Sequence, residues 1–299
     1  MSDVRQLLSQ CRWDSYLQKF WPAVLTNFGE SAGNILDAAS CCDFSGVKKP
    51  DVNDFLEEFV SEVGVLIRNG FNHNDRQYSL TIKHFTCELP ALSFIKQTKG
   101  HTGYSSCPKS CVVGDFNDNR VCFLNNAILR TEASFRAKVD NEHHVGVSPL
   151  LKIQMDMIKS VPIDPMHLLF LGIVKKVVNI CVSGNKLAKF SSHVTQDISK
   201  KLVGFRTFVP YEFNRKPRAL TDIKYWKATE FRNFVLYYGV VALKDCGNDK
   251  LYKNFLLLHS IVYLLSDSRT VQSHVNYVKT LMKAFLDHSR NLYGDEFFP

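Results

Sequence analysis

The stretch VPIDPMHLLFLGIVKK, residues 161–176, decides the fold that the sequence predicts. Asp164 and His167 stand three residues apart at the start of an apolar run. Pro165 suits the first position of a helix, where a missing backbone N–H costs nothing, and Asp164 is then the N-cap residue. By spacing alone, the Asp–His pair pins the start of a helix, whether or not it also serves a function. At a period of 3.6 residues, one side of this helix carries Met166, Leu169, Phe170, Ile173 and Val177.

Six further blocks accompany this stretch in a fixed order along the chain. They are FWP (20–22), KKPDVNDFL (48–56), KGHTGYSSC (99–107), RVCF (120–123), EHHVGVSPL (142–150) and YWKATEFR (225–232). Together with residues 161–176, these blocks resemble the motifs of cut-and-paste DNA transposases of the CACTA (En/Spm-like) family. The resemblance runs from about residue 17 to the end of the chain, and we expect a truncated or degenerate copy.

The fold that this resemblance implies is of the α+β or α/β class. It is an incomplete RNase H-like transposase core with a long, mainly helical insertion. We expect a partial core at residues 1–95, an insertion with a Cys/His segment and basic helices at 96–224, and C-terminal helices that return to the core at 225–299. A strand–helix–strand crossover would supply parallel pairing in the core.

Local patterns predict the individual elements of this fold. Residues 51–69 carry apolar side chains at the helical period behind the cap Asp51, and residues 78–86 alternate apolar and polar side chains as a strand does. A second helix should begin near Glu88. Weaker signals predict a helix at 1–10, strands at 20–25 and 41–47, and helices at 195–205, 225–238, 251–265 and 271–293.

The resemblance also implies phosphoryl transfer on DNA, with two Mg²⁺ ions held by three converging carboxylates. In the family the second acid follows a strand in a Cys-Asp-x-Pro context, and Glu88 takes that place here. Glu230 takes the place of the third acid. The position of the first acid holds LLSQC (7–11), and the nearest acid, Asp14, has the wrong context. Asp164 and His167 belong to a family motif and join the candidate catalytic residues without a defined role.

One missing acid in three should abolish two-metal catalysis. We therefore expect a degenerate or domesticated transposase domain that is catalytically inactive, with vestigial Glu88 and Glu230, and that retains DNA binding. One alternative is a fragment of an active Mg²⁺-dependent DDE-type transposase whose first acid lies upstream, and another is a helical protein-interaction scaffold. By residue type alone, Glu88 is equally an acid at a helix N-terminus, and Glu230 an exposed helix acid paired with Lys227 or Arg232.

A second set of residues has the composition of a structural zinc site. Cys107 and Cys111 are separated by three residues, where the family usually shows Cys-x-x-Cys, and this spacing lies within the range of structural zinc sites. His143 and His144 would complete the site, with His101 or Cys122 as substitutes. The alternative is a set of buried free thiols and a solvent-facing histidine.

The positive charge is confined to one region. Residues 175–232 contain 13 Lys and Arg against four Asp and Glu, whereas the whole chain has a net charge of +8. Such a region suits a DNA phosphate backbone, although a solvated helical face is the ordinary alternative. Tyr211, Phe213, Tyr225 and Trp226 are interleaved and would stack on unpaired bases, but we expect most of them to be buried. The candidate phosphate contacts are Lys175, Lys176, Lys200, Lys201, Arg206, Arg215, Lys216, Arg218, Lys227 and Arg232.

Other classes of protein are less compatible with the sequence. Nine cysteines without a signal peptide predict reduced thiols in the nucleus or cytoplasm rather than a secreted protein. We find no window of 18 apolar residues, so no membrane association is expected. The chain has no GxGxxG, P-loop, GxSxG or HExxH motif, which argues against a nucleotide cofactor and a small-molecule substrate.

Overall fold

The computed structural model describes residues 30–31, 35–42, 50–73, 75–117, 119–184 and 188–298. Its strands lie in the first half of the chain and helices dominate the second half, so the fold is a mixed, mainly helical α+β fold. The chain divides into two compact units, Met1–Asp164 and Pro165–Pro299. The predicted insertion, 96–224, therefore contributes residues to both units. The helix predicted at 1–10, Asp14, the strand predicted at 20–25 and residues 43–47 lie outside the described residues.

The sheet of the first unit contains a parallel pair of strands. The strands are Glu30–Ser31 (β1), Ile35–Cys42 (β2), Phe71–His73 (β3) and Arg76–Cys87 (β4), in the order β1-β2-β4-β3. β2 and β4 run parallel, and the register pairs Cys42 with Cys87 at their ends. The helix Val52–Asn69 (α1) makes the crossover between them. The predicted strand–helix–strand order is confirmed, and Cys41 and Cys42, the described part of the strand predicted at 41–47, end the first strand.

Local chemistry explains where α1 begins and ends. The carboxylate of Asp51 accepts hydrogen bonds from the backbone N–H groups of Asn53 and Asp54, at 2.8 and 3.4 Å, as an N-cap residue does. Gly70 ends the helix at a φ of 65°, a conformation that favours glycine. A Cβ at Gly70 would lie 2.3 Å from the carbonyl oxygen of Tyr78, so the turn into β3 requires glycine. The buried face carries Val52, Leu56, Phe59, Val60 and Val63.

The remainder of the first unit consists of short elements. Helix Leu89–Lys96 (α2) follows β4 directly, as predicted, and the hairpin Asp115–Asn117 (β5) and Arg120–Cys122 (β6) follows in turn. Helix Glu132–Arg136 (α3) and the 3₁₀ turns Asn141–His143 and Pro149–Lys152 come next. Of these elements, α2, α3 and the Pro149–Lys152 turn share one apolar core with α1 and β4, which contains Phe85, Leu92, Ile95, Leu150 and Met157.

The end of the first unit returns to β4. The backbone N–H of Phe85 donates to the carbonyl oxygen of Ser160 at 2.7 Å, and the N–H of Asp164 donates to that of Cys87 at 2.7 Å. Ile163 also forms a parallel bridge with Cys87. The first residues of the 161–176 stretch therefore continue the sheet beyond β4.

The second unit is built from helices. Met166–Val174 is a π-helix that continues as the α-helix Lys175–Ser183 (α4), and Ser192–Gly204 (α5) follows. Ala228–Asn233 (α6), the π-helix Phe234–Tyr238 and Gly239–Ala242 (α7) form one continuous helical segment. The long helices Asp249–Leu265 (α8) and Ser268–Tyr293 (α9) complete the unit, and 3₁₀ turns lie at Phe205–Thr207, Leu220–Tyr225 and Asp295–Phe297.

Most predicted helices of this unit are confirmed within three residues, with two differences in detail. The helix predicted from residue 225 begins at Ala228, because Leu220–Tyr225 is a 3₁₀ turn and Trp226 is extended. Asp164 does not occupy the N-cap position, which Pro165 takes. The predicted 3.6-residue stripe is largely confirmed, because Leu169, Phe170 and Ile173 pack against the core of the second unit and Val177 is buried in it. Met166 is the exception, since it is 43% exposed.

A buried polar network joins α8 to α9. The Asn254 side-chain amide donates to the carbonyl oxygen of Phe285 at 3.3 Å and to the hydroxyl of Ser289 at 3.2 Å. The Tyr293 hydroxyl donates in turn to the Asn254 amide oxygen at 3.0 Å. Since buried polar groups are costly unless they are paired, this network fixes the register of the two helices.

The helix formed by Met166–Ser183 is long and apolar enough to span a membrane, with a mean hydropathy of 1.6 over 18 residues. The window includes Lys175 and Lys176, so it is not an uninterrupted run of 18 apolar residues. One helix of this kind is a weak sign of a membrane span, because the core helix of a globular unit meets the same criterion. Val174, Val177, Val178 and Cys181 are indeed buried in the core of the second unit.

We predict that Asp51→Ala lowers the free energy of unfolding by about 1 kcal/mol, because two N–H groups at the start of α1 lose their acceptor. Urea unfolding of the purified chain measures this change. Asp51→Asn is the matched control, since an amide oxygen also caps helices and its effect should be much smaller. Equal loss in both variants would show that the negative charge, rather than the acceptor, stabilises α1.

Candidate nucleic-acid interface

Glu88 lies where the resemblance places the second acid, between the last residue of β4 and the first residue of α2. Its side chain is half-buried and makes no helix-capping hydrogen bond. The hydrogen bond from Asp164 to Cys87 brings the backbone of Asp164 beside Glu88. Two of the four predicted catalytic residues are thus neighbours at one end of the sheet. His167 is half-buried in the first π-helix of the second unit.

Glu230 is buried in the second unit and both of its carboxylate oxygens are engaged. The Arg218 guanidinium donates to them from Nε and Nη2, each at 2.7 Å. The backbone N–H of Lys227 also donates to Oε2 of Glu230 at 2.8 Å, at the start of α6. The carboxylate therefore caps a helix and neutralises an arginine. It is neither exposed nor paired with Lys227 or Arg232 through their side chains, the two partners that lie nearest in sequence.

The Cys/His segment places the predicted zinc ligands in different environments. His143 is fully buried, and its Nδ1–H donates to the carbonyl oxygen of Ser105 at 2.7 Å. Its ring lies 5.4 Å from that of His144, almost perpendicular to it. Cys107 Sγ lies 3.2 Å from the hydroxyl oxygen of Ser110. Cys107 and Cys111 are half-buried, Cys122 is buried and His101 is exposed.

His143 has the arrangement of a ligand histidine, because a carbonyl acceptor at Nδ1 leaves Nε2 with its lone pair. That Nε2 atom is buried without a hydrogen-bond partner in the described part of the chain. Even so, no three His, Cys, Asp or Glu side chains among the described residues are grouped so that they could hold a metal ion. As arranged, the described Cys and His residues do not fit a closed zinc site, and Glu230, whose carboxylate oxygens are both engaged, does not fit a magnesium site.

Lys96, at the end of α2, is a titratable residue that the sequence patterns did not single out. It is 1% exposed, and its Nζ has no hydrogen-bond partner within the described residues. The amine lies 4.8 Å from the centre of the Phe135 ring. Burial, with the positive charges of Lys109 and Arg130, lowers the pKa of Lys96 to about 7. The helical spacing could have predicted the burial of Lys96, because Lys96 follows Leu92 by four residues and so shares its buried helix face.

The predicted phosphate contacts differ in their availability. Arg218 is committed to Glu230, and the Lys176 amine donates to the carbonyl oxygen of Phe297 at 3.0 Å. Lys175 and Lys201 are half-buried. The exposed members of the set are Lys200, Arg206, Arg215, Lys216, Lys227 and Arg232, although the Lys216 amine donates to the carbonyl oxygen of Val209 at 2.6 Å.

The aromatic residues of the same region divide in an unexpected way. Trp226 is buried and Phe213 half-buried, but Tyr211 is 89% exposed and Tyr225 is 59% exposed. Phe208, which the sequence patterns did not single out, is 84% exposed. The expectation that most of these rings are buried was therefore wrong for half of those named. The second unit presents cations and aromatic rings together between α5 and α6.

A comparison of this chain with protein-family models, curated proteins and solved structures yields no match. A proposal for the function therefore depends on the residues described above and on the motifs that resemble those of CACTA transposases. Within the described residues, the surface best suited to a ligand is the exposed basic and aromatic region of the second unit.

We predict that Lys96→Met raises the free energy of unfolding by roughly 1–4 kcal/mol at pH 7 and below. The thermal unfolding temperature of the variant should rise accordingly. The folded pKa of about 7 lies below the usual 10.5, so the unfolded chain binds the proton more readily across this interval. Wild-type stability should rise with pH from about 7 towards 10.5, and the advantage of the variant should shrink over the same range. Exposed Lys152→Met is the control, and a pH-independent gain would contradict the assignment.

We predict that Glu230→Gln lowers the free energy of unfolding by about 1–3 kcal/mol, because Arg218 loses its charged partner while the amide oxygen can still accept the Lys227 N–H. Chemical denaturation of the variant measures this loss. Glu142→Gln is the matched control, since Glu142 is an exposed carboxylate paired with Lys99 and should contribute little. Undiminished stability together with loss of a Mg²⁺-dependent DNA-nicking activity would instead identify Glu230 as a metal ligand.

Proposed function

We propose that this chain is a degenerate or domesticated CACTA-type transposase domain that binds nucleic acid through its second unit and no longer cuts it. The proposal joins two independent sets of features. One is the ordered series of motifs that resembles the family. The other is the exposed charge on the second unit.

The exposed cations carry the proposal. Six of the ten predicted phosphate contacts are exposed, and they belong to a region with 13 basic against four acidic residues. Each Lys or Arg that contacts a phosphate releases counterions from the nucleic acid, so several such contacts give substantial affinity without base recognition. A solvated helical face would also be charged, but the large exposed rings beside these cations are not expected of it.

The state of Glu230 supports the non-catalytic part of the proposal. A metal-binding acid must direct free carboxylate oxygens at the ion. In this chain Arg218 binds both oxygens of Glu230, and the Lys227 N–H donates to one of them. Releasing this buried carboxylate would break an ion pair and leave half-buried Arg218 without its charged partner, which is costly.

The first unit supports the proposed RNase H-like ancestry. Its parallel β2–β4 pair is connected through α1, and an acid follows β4 directly. Ligands of open α/β sheets lie beyond the carboxyl ends of the strands. Glu88, with Asp164 beside it in the backbone pairing, lies at such an end.

A salt titration of DNA binding tests the proposal. We expect a duplex of roughly 20 base pairs to bind, with affinity falling at least tenfold between about 50 and 200 mM salt. Replacing Arg215 and Arg232 with Gln should weaken binding to every duplex sequence and reduce the slope of log K against log salt by up to about 0.9 for each lost contact. Fluorescence anisotropy measures both quantities.

Lys253→Gln with Lys279→Gln is the matched control, because it removes the same charge from exposed positions on α8 and α9. If this control weakens binding as much as the Arg215 and Arg232 changes, net charge rather than the proposed surface is responsible. No binding at the lowest salt would reject the nucleic-acid function and leave a helical interaction scaffold. Mg²⁺-dependent cleavage that Glu88→Gln abolishes would reject the non-catalytic part.

A further inference from the structure

The loop between α5 and α6 projects two large aromatic rings into solvent. Phe208 is 84% exposed and Tyr211 is 89% exposed, and they lie three residues apart. Burying a side chain of this size typically stabilises a fold, so rings left almost fully in water forgo that gain. Singly exposed apolar residues are ordinary, but two such rings on one loop indicate a surface that a ligand covers.

The loop is anchored to the rest of the second unit. Val209, which lies between the two rings, is buried, and the Lys216 amine donates to its carbonyl oxygen at 2.6 Å. Phe213 packs edge-on against Tyr237, with ring centres 5.5 Å apart. The Arg218–Glu230 ion pair holds the far end of the loop on α6. The backbone that carries the exposed rings is therefore anchored before any ligand arrives, which lowers the entropy cost of binding.

Cations outnumber acids around these rings, although exposed Glu212 follows Tyr211 directly. Arg206 precedes Phe208 by two residues and is exposed, and exposed Arg215 lies four residues after Tyr211. Half-exposed Tyr225 has the Lys224 amine 4.7 Å above its ring. A surface on which cations alternate with flat rings complements a nucleic-acid strand, because the cations can contact its phosphates and the rings can stack on its bases.

We propose that this loop binds single-stranded nucleic acid, with Phe208 and Tyr211 stacking on unpaired bases and the neighbouring cations contacting the phosphates. This inference rests on the proposed function and specifies its substrate. In a duplex, the faces of the bases are already stacked on each other, so the rings would find no partner there. The loop therefore favours unpaired strands, whereas the other exposed cations of the second unit bind either form.

The test compares three probes of equal length, roughly 20 nucleotides, which exceeds the site size of typical single-strand binding folds. They are oligo-dT, an abasic oligonucleotide with the same phosphates, and a duplex. Wild-type protein should bind oligo-dT most tightly. The double variant F208A/Y211A should bind oligo-dT roughly 100-fold more weakly, about tenfold for each ring, and bind the abasic probe and the duplex as the wild type does. Both side chains are exposed, and circular dichroism of the variant will verify that it folds.

Two further variants separate the outcomes. Tyr263→Ala removes an exposed ring from α8 and should leave binding of every probe unchanged. Replacing Arg206 and Arg215 with Gln should weaken binding of all three probes, because these cations contact phosphates. The inference is overturned if F208A/Y211A binds oligo-dT as the wild type does, or if it loses affinity equally for all three probes. Wild-type protein that binds none of the probes at low salt would instead overturn the proposed function itself.

Discussion

The second unit depends on one ion pair, between Arg218 and Glu230. Its two hydrogen bonds join the end of the basic loop to the first turn of α6, and the same carboxylate caps that turn. The ion pair therefore has two structural effects. It occupies the acid that the family resemblance assigns to catalysis, and it fixes the loop that carries the exposed rings. If the proposed ancestry holds, a residue that once bound a metal ion now holds the proposed binding surface in place.

The first unit has a different constraint, which is a cluster of basic side chains in its interior. Lys96 and His143 are both buried, and each has an unpartnered nitrogen within the described residues. Burial lowers the pKa of each, to about 7 for Lys96 and about 4 for His143, with Arg130 adding to both effects. Arg130 is itself buried and paired with Asp140 at 2.7 Å. Such a cluster tolerates neutral side chains far better than charged ones.

Much of the fold was predictable because it follows from local patterns. The cap at Asp51, the alternation in β4 and the periodicity of α8 and α9 each predicted an element that the structure contains. The π-helix at Met166–Val174 was not predictable in this way, since no local pattern distinguishes its bonding from that of an α-helix. The partner of Glu230 was also missed, because sequence spacing indicates neighbours three or four residues away and Arg218 lies twelve residues away across a loop. Aromatic residues at helical spacing usually belong to a core, so most of Tyr211, Phe213, Tyr225 and Trp226 were expected to be buried, but tertiary packing decides which apolar side chains the core accepts.

The π-helix at Met166–Val174 has a consequence for how the chain tolerates insertions and deletions. A helix with i→i+5 bonds holds more residues in each turn than one with i→i+4 bonds, so it stores surplus length within a regular element. Loss of one residue there can convert the segment to ordinary α-helix without moving α4 along its axis by a full turn. The π-helix Met166–Val174 can therefore change in length during evolution while the apolar face of α4 keeps its contacts with the helices around it.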